Sequence, residues 1–418
     1  MRWSLLLAAL GAACHAPGDG SSSPVGDHPL EIRALLASSP ERFGEILASA
    51  EEHRLQILVA EVDEEAPGGP RLLRASFRAG PDYFYPASSI KTCAAIASLD
   101  QLAELRAAGH EVDRETPLRL HPLFEDEVLE EEDASHVDGG TITVGHEIRK
   151  LSIVSDNRAY NRLYDFLGQE RLNRAMWSAG LASTRLVHRL SIARTPEENR
   201  TTRRLELLPE GGPPVELGEK VSTLRLENSD LSGVLLGHAH IEGGERVEGP
   251  FSFLEKNFMS LEDLQDMLVM LVRPDVDLGK RGFPDLEPED RAFLLEAMAE
   301  LPRESTDPLY DPEKYPDDYV KFLLPGLARV VPAENLRITN KVGLAYGFTI
   351  ENAHVVDLAS GREFFLAAVL YTNPDGVVND GVYAYDEVAF PFWANLGEVV
   401  ARTLWEQEDG GTQPGRRR

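Results

Sequence analysis

Cysteine is nearly absent from this chain: 418 residues include two, Cys14 and Cys93. Cys14 closes a short N-terminal apolar stretch that reads as an export signal, so Cys93 stands alone in the remaining domain. One thiol cannot form an internal disulfide, and the fold must hold by its core. Positive charge is also scarce. Lys and Arg number 42 against 70 Asp and Glu, a formal net charge of -28, which repels phosphate backbones and anionic lipid surfaces and argues against nucleic acid as a partner. Long apolar runs are missing beyond the N-terminus, and Leu5 to Ala13 is too short to span a bilayer. No internal repeat is visible. What is present is 42% hydrophobic residues, enough for a large buried core rather than a disordered chain.

The N-terminal stretch has a basic residue, Arg2, then the apolar run, then Ala12-Ala13-Cys14. A Cys after small residues resembles a bacterial lipoprotein signal, in which the Cys receives lipid and becomes the mature N-terminus. Gly11 stands where such signals usually carry Leu, so plain secretion stays open. Either route predicts an exported protein, periplasmic or lipid-anchored in a bacterial envelope, that meets the membrane only through Cys14. Residues 1–14 are thus read as the signal and 15–39 as a flexible tether, built on Gly18-Asp19-Gly20-Ser21-Ser22-Ser23-Pro24. Residues 40–406 form the folded domain, and 407–418 a polar tail.

Phe43, Ile46, Leu47 and Ala50 recur at helical spacing, and Leu55 to Val62 and Leu72 to Phe77 read as strands around a turn at Gly68-Gly69-Pro70. Ser88 opens a long helix through Leu105, in which Cys93 is buried filler. The middle, from about 106 to 335, is expected to be mostly helical: Val144 to Ser152, Arg158 to Leu167, Glu170 to Ala179, Ser260 to Val272 with Ser260 and Asp263 as a capping pair, and Glu289 to Leu301. Residues 203–257 read as an insertion with hairpin character. Within it, His238 and His240 would share one face of a strand, but no third metal ligand has the required spacing, and no metal is expected. The clusters Glu125-Asp126-Glu127 and Glu130-Glu131-Glu132-Asp133 read as solvated loop charge. Strands return at Leu336 to Lys341, Tyr346 to Leu358 and Glu363 to Tyr371, before a last helix from Ala389 to Glu406. The expected fold is α+β, an antiparallel sheet flanked by terminal helices (40–90 and 336–406) with an inserted helical lobe (91–335) and a cleft between the two.

Three short patterns carry chemistry. Ser88 lies one helical turn before Lys91, and a desolvated lysine can take the proton of a serine hydroxyl that is otherwise a poor nucleophile. A Ser three residues before a Lys also arises by chance about once in such a chain. Ser155-Asp156-Asn157 sits between two predicted helices, where it is either a turn with an N-cap or a proton relay and carbonyl-binding amide. Lys341-Val342-Gly343 ends a strand: a fixed cation and a glycine that permits close backbone approach, or a strand-end charge and a hairpin glycine.

In that order, Ser-x-x-Lys, Ser-Asp-Asn and Lys-x-Gly resemble the motifs of class A β-lactamases and penicillin-binding proteins. The resemblance runs from about Phe43 to Trp405 and includes Asn161, Leu163 and Gly180-Leu181. It implies a β-lactamase/transpeptidase-like fold, with Ser88 as acyl-accepting nucleophile, Lys91 as its base and Ser155 as proton shuttle. It further implies Asn157 as substrate contact, Lys341 as carboxylate anchor beside Gly343, and the amides of Ser88 and Leu344 as the oxyanion site. No cofactor is implied, and a monomer acting on a small-molecule or peptide amide is expected.

The sequence departs from the family at two points. The deacylating pattern Glu-x-x-Leu-Asn is missing: His188-Arg189-Leu190-Ser191 stands in its place, and the nearest acids, Glu197 and Glu198, are the candidates for deacylation. Val342 replaces the usual Thr or Ser, which removes a hydrogen bond of about 1 kcal/mol to a substrate carboxylate. A serine hydrolase acting on β-lactams or related cell-wall amides is the leading reading. A D,D-peptidase and a non-catalytic cell-wall binding protein with the same fold are the alternatives.

Overall fold

The computed structural model describes residues 24–80 and 82–406. The proposed signal, Cys14 and the polar tail lie outside the described residues. Among those described, no helix is long and apolar enough to cross a membrane.

The molecule is built on one sheet, with strands in the order Gly26–Asp27, Arg71–Phe77, Gln56–Asp63, Glu363–Tyr371, Phe348–Asp357, Leu336–Asn340; the short strand Gly343–Ala345 also pairs with Phe348–Asp357. All neighbours are antiparallel except the first pair. First and last thirds of the chain meet where Glu363–Tyr371 pairs with Gln56–Asp63. The central strand is apolar almost throughout because both its faces are covered, and successive side chains part to opposite sides. Phe364, Leu366, Ala368 and Leu370 join the core under the terminal helices Pro40–Ala48 and Phe390–Glu406, together with Phe43, Trp393 and Trp405. Phe365, Ala367 and Val369 join the second core, which continues into the helices Lys91–Ala107, Val144–Ile153, Asn157–Leu167 and Leu261–Val272. The α+β architecture is as expected, and Ser260 Oγ caps its helix by accepting the Asp263 amide at 3.1 Å.

Four expectations need correction. The tether cannot extend to residue 39, since Ile32–Ala37 is a helix whose Ile32 and Leu36 enter the core. Ser88 lies in a 3-10 turn, Ala87–Ile90, and the α-helix proper begins at Lys91. The middle is less helical than expected. Leu118–Leu120, outside 203–257, is a strand that pairs with Leu205–Leu207. The hairpin character expected of 203–257 is present, in the antiparallel pairs Leu205–Leu207 with Val215–Leu217 and Ala239–Glu242 with Glu245–Glu248, and Ala239–Glu242 also pairs with Val377–Val378. Finally, the acidic run is not all solvated loop: Glu130 and Asp133 both clasp Arg162, which is 2% exposed, and Asp133 also binds Lys150. Buried guanidinium demands such partners, so part of the negative charge is structural.

Candidate active site

The turn that carries Ser88 is held in an unusual backbone state. Ala87 has φ +49°, left-handed for a residue with a Cβ, a conformation that persists only where its surroundings impose it. One restraint is the strand Gly343–Ala345, which lies against this turn. A Cβ on Gly343 would collide with the Pro86 carbonyl oxygen and press on the Ser89 amide. The Lys-x-Gly strand and the Ser-x-x-Lys helix can therefore touch only through a glycine.

Lys91 is fully buried one turn beyond Ser88. Its Nζ donates to the Ser155 carbonyl oxygen and to Asn157 Oδ1 (2.7 Å), and stands 3.3 Å from Ser155 Oγ. Ser155 has φ +60°, and Asp156 caps the next helix by accepting the Ala159 amide at 2.8 Å. Asp156 thus serves as the cap, while its two neighbours face Lys91. Lys341 Nζ, also buried, donates to Ser155 Oγ at 2.9 Å. The hydroxyl of Ser155 therefore sits between two lysines. Burial, reinforced by the Lys341 charge and opposed by Asp156, holds the Lys91 ammonium well below the usual lysine range. Burial likewise lowers Lys341 to about 7, with Glu351 opposing and Lys321 adding to the effect.

All three motifs meet at one place. Ser88, half-buried, lines two cavities, and among the described residues its hydroxyl has no hydrogen-bond partner. One cavity, about 340 Å³, is walled by Tyr85, Asn157, Ser191, Tyr346, Asn379 and Tyr383. The other, about 800 Å³, is reached past Ser155, Val342 and Leu344. Leu344 borders both. The 203–257 segment braces the smaller one from behind: Phe253 packs on Tyr85 and Tyr346 at 5.8 and 5.6 Å between ring centroids.

Glu197 and Glu198 are not brought to this site. Glu197 pairs with Arg200, and Glu198 closes a capping box with Thr195 on the short helix Pro196–Arg200. The chain beside Asn157 is instead the loop through Leu190 and Ser191, pinned by reciprocal bonds between Asn161 and Leu190 and by the buried Arg189–Asp165 pair. Asn157 Nδ2 donates to Ser191 Oγ at 2.8 Å. Among the described residues, neither cavity at Ser88 is walled by a glutamate.

Glu351 belongs to none of the three motifs. It is buried on the strand Phe348–Asp357, hydrogen-bonded to Asn340 at 2.6 Å and pushed up to about 7 by burial. An acid amid the apolar run of an interior strand was the signal available. Cys93 is inert, buried against Met259 and Met267, with its thiol pushed up to about 12. Among the described residues, His238 and His240 belong to no cluster of ligand-type side chains, and His240 Nδ1 contacts the Gly249 carbonyl. His136, His146 and Asp307 do lie together, with ligand-type atoms within 4.8 Å of one another. Their imidazoles stack at 3.6 Å, so the in-plane lone pairs run side by side rather than converging on one ion, and His136 is bonded to Asp307 and Thr141, His146 to Ser135. A further cleft of about 770 Å³, away from Ser88, is lined by ion pairs such as Arg174–Glu170 and Arg281–Asp285.

Residues 75–205 match the model of the beta-lactamase enzyme family. This span carries Ser88, Lys91, Ser155 and Asn157. Solved structures similar to the chain include a beta lactamase from Xanthomonas campestris pv. campestris, at 17% identity and TM-score 0.49 over 88% of this chain and 98% of that one. Others are a beta-lactamase from Desulfarculus baarsii, at 18% identity and TM-score 0.47 over 88% and 98%, and a class A beta-lactamase from Mycobacterium abscessus, at 18% and 0.45 over 89% and 99%. No curated protein matches the chain.

Proposed function

From a chain that is β-lactamase-like in fold and matches that enzyme family over residues 75–205, we propose an exported serine hydrolase that forms an acyl-enzyme at Ser88, with a β-lactam or related cell-wall amide as acyl donor. The observation that carries this reading is the pairing of an unengaged Ser88 hydroxyl, facing two cavities, with a buried Lys91 that burial drives toward the neutral amine. In the acylation step Ser88 Oγ bonds to the carbonyl carbon while its proton passes to Lys91 Nζ. The amides of Ser88 and Leu344 hold the oxyanion. The carbon–heteroatom bond then breaks, and the proton returns through Ser155 to the leaving atom. Asn157 orients the donor.

Release of the acyl group needs water and a base. With Ser191 rather than a carboxylate beside Asn157, slow deacylation is expected, which favours the D,D-peptidase-like alternative over rapid lactam turnover. The test is mass mapping after incubation with fluorescent penicillin and, separately, with a neutral aryl ester, p-nitrophenyl hexanoate. An adduct on Ser88 from at least one probe, lost in Ser88→Ala with an unchanged circular dichroism spectrum, is the expected result. Absence of any adduct on the folded protein would falsify the assignment. Nitrocefin then separates the two branches, since a stoichiometric burst without turnover marks the acyl-trap.

A further inference from the structure

The larger cavity at Ser88 differs from one shaped for an anion. Its walls are Val154, Val342, Phe322, Tyr319, Phe390 and Pro391, with two carboxylates, Asp318 and Asp386. Among the described residues, no Lys or Arg lines it. Asp318 and Asp386 are both exposed, and among the described residues neither has a cationic partner. The cations in the same stretch of chain are committed elsewhere: Arg303 to Asp317, and Lys314 over the ring of Tyr315. Two buried lysines adjoin this wall without lining it: Lys91 directs its bonds to Ser155 and Asn157, and Lys341 to Ser155 Oγ and the Val342 carbonyl. At the motif position nearest the cavity, Val342 presents methyl groups where a hydroxyl could have received an anion.

Resting on the Ser88 reading, we infer that the larger cavity selects substrates whose arm beside the scissile carbonyl is apolar and uncharged or cationic, and that Asp318 and Asp386 are specificity determinants that reject a carboxylate there. Two fixed negative charges repel a third, and the surrounding apolar surface strips water from a carboxylate without returning a hydrogen bond. An alkyl or aryl arm gains burial against Phe322 and Phe390, and a quaternary ammonium adds attraction to the two aspartates and to the Tyr319 ring. The substrate class is therefore a neutral or cationic ester or amide with a bulky apolar arm, rather than one carrying its carboxylate into this cavity.

The test uses the full folded domain and a matched set of activated esters of equal length. The terminal group of one arm is methyl, carboxylate or trimethylammonium, placed in turn on the acyl side and on the leaving side, because only the arm that enters the cavity senses the charge. The readout is kcat/KM, with Ser88 acylation confirmed by mass. On one arm, the carboxylate ester is expected to react roughly tenfold or more slowly than the methyl ester, a gap that narrows at high salt as exposed charges are screened. The double variant Asp318→Asn with Asp386→Asn should close most of that gap while leaving the methyl ester unchanged. Equal or faster reaction of the carboxylate ester on both arms, or a gap that the double variant leaves intact, overturns the inference alone. Failure of every ester and of penicillin to acylate Ser88 overturns the Ser88 reading, and this inference with it.

Discussion

A neutral lysine amine has two hydrogens and one lone pair, and the surroundings of Lys91 sort them. The Ser155 carbonyl and Asn157 Oδ1 accept only, so they take the two hydrogens. The lone pair is left for a hydroxyl, which is what a base for Ser88 requires. The carboxylate-anchoring role that the family resemblance implies for Lys341 would make the opposite demand, since an ammonium holds an anion only while charged. The signs follow directly: acylation rises as pH climbs through the depressed Lys91 pKa, and any carboxylate-anchoring by Lys341 is lost above about 7. For a neutral ester, kcat/KM against pH is therefore expected to rise to a plateau. A carboxylate-bearing donor that uses Lys341 should add a falling limb near 7. A neutral ester showing that same falling limb would assign Lys341 a part in the chemistry itself. Lys91→Met should abolish the rising limb together with nearly all acylation.

At the scale of elements, the site depends on two segments coming closer than side chains normally allow. Gly343 lets the strand Gly343–Ala345 rest on the Pro86–Ser89 turn, and the turn in turn keeps Ala87 left-handed. Gly343→Ala is expected to cost about 1–3 kcal/mol through overpacking and to reduce Ser88 acylation by more than stability alone explains, because the strand must retreat and take Leu344 with it. Chemical denaturation and the ester burst measured on one preparation check this. Wild-type acylation in a destabilised variant would show that the strand relaxes without moving the site.

The whole molecule is a sheet with a separate core on each face, and the lobe that carries Ser155 and Asn157 is tied together by buried charge. Arg162 bonds Glu130, Asp133 and Glu147, and Lys150 joins Asp133 and Glu147. Burial raises Glu147 to about 7 despite Arg162 and Lys150. Arg162→Met leaves Glu130 to Arg158 and Arg203, and Asp133 and Glu147 to share Lys150, and the loss of its charge-assisted bonds is expected to cost about 1.5–3 kcal/mol. Equilibrium urea unfolding measures it, and a loss below about 1 kcal/mol, the range of surface pairs, would mean the network is solvated in practice.

Much of this was legible in the chain itself. Period-two and period-3.6 apolar patterns placed most strands and helices, because alternation and helical spacing are local consequences of which side is buried. The helices around Ser155–Asn157 and the strands from Leu336 onward lie within a few residues of where these patterns put them. The order of the three motifs pointed to one site through its resemblance to class A β-lactamases and penicillin-binding proteins. Partners across long sequence separations were not legible. Nothing local shows that Glu130 faces Arg162, that Ser191 rather than Glu197 or Glu198 meets Asn157, or that Asp318 and Asp386 wall the cavity beside Ser88. Residue types and their spacing determined which groups could react. Only the folding of distant segments onto one sheet decided which of them meet, because burial and charge at a site are set by neighbours that sequence order does not reveal.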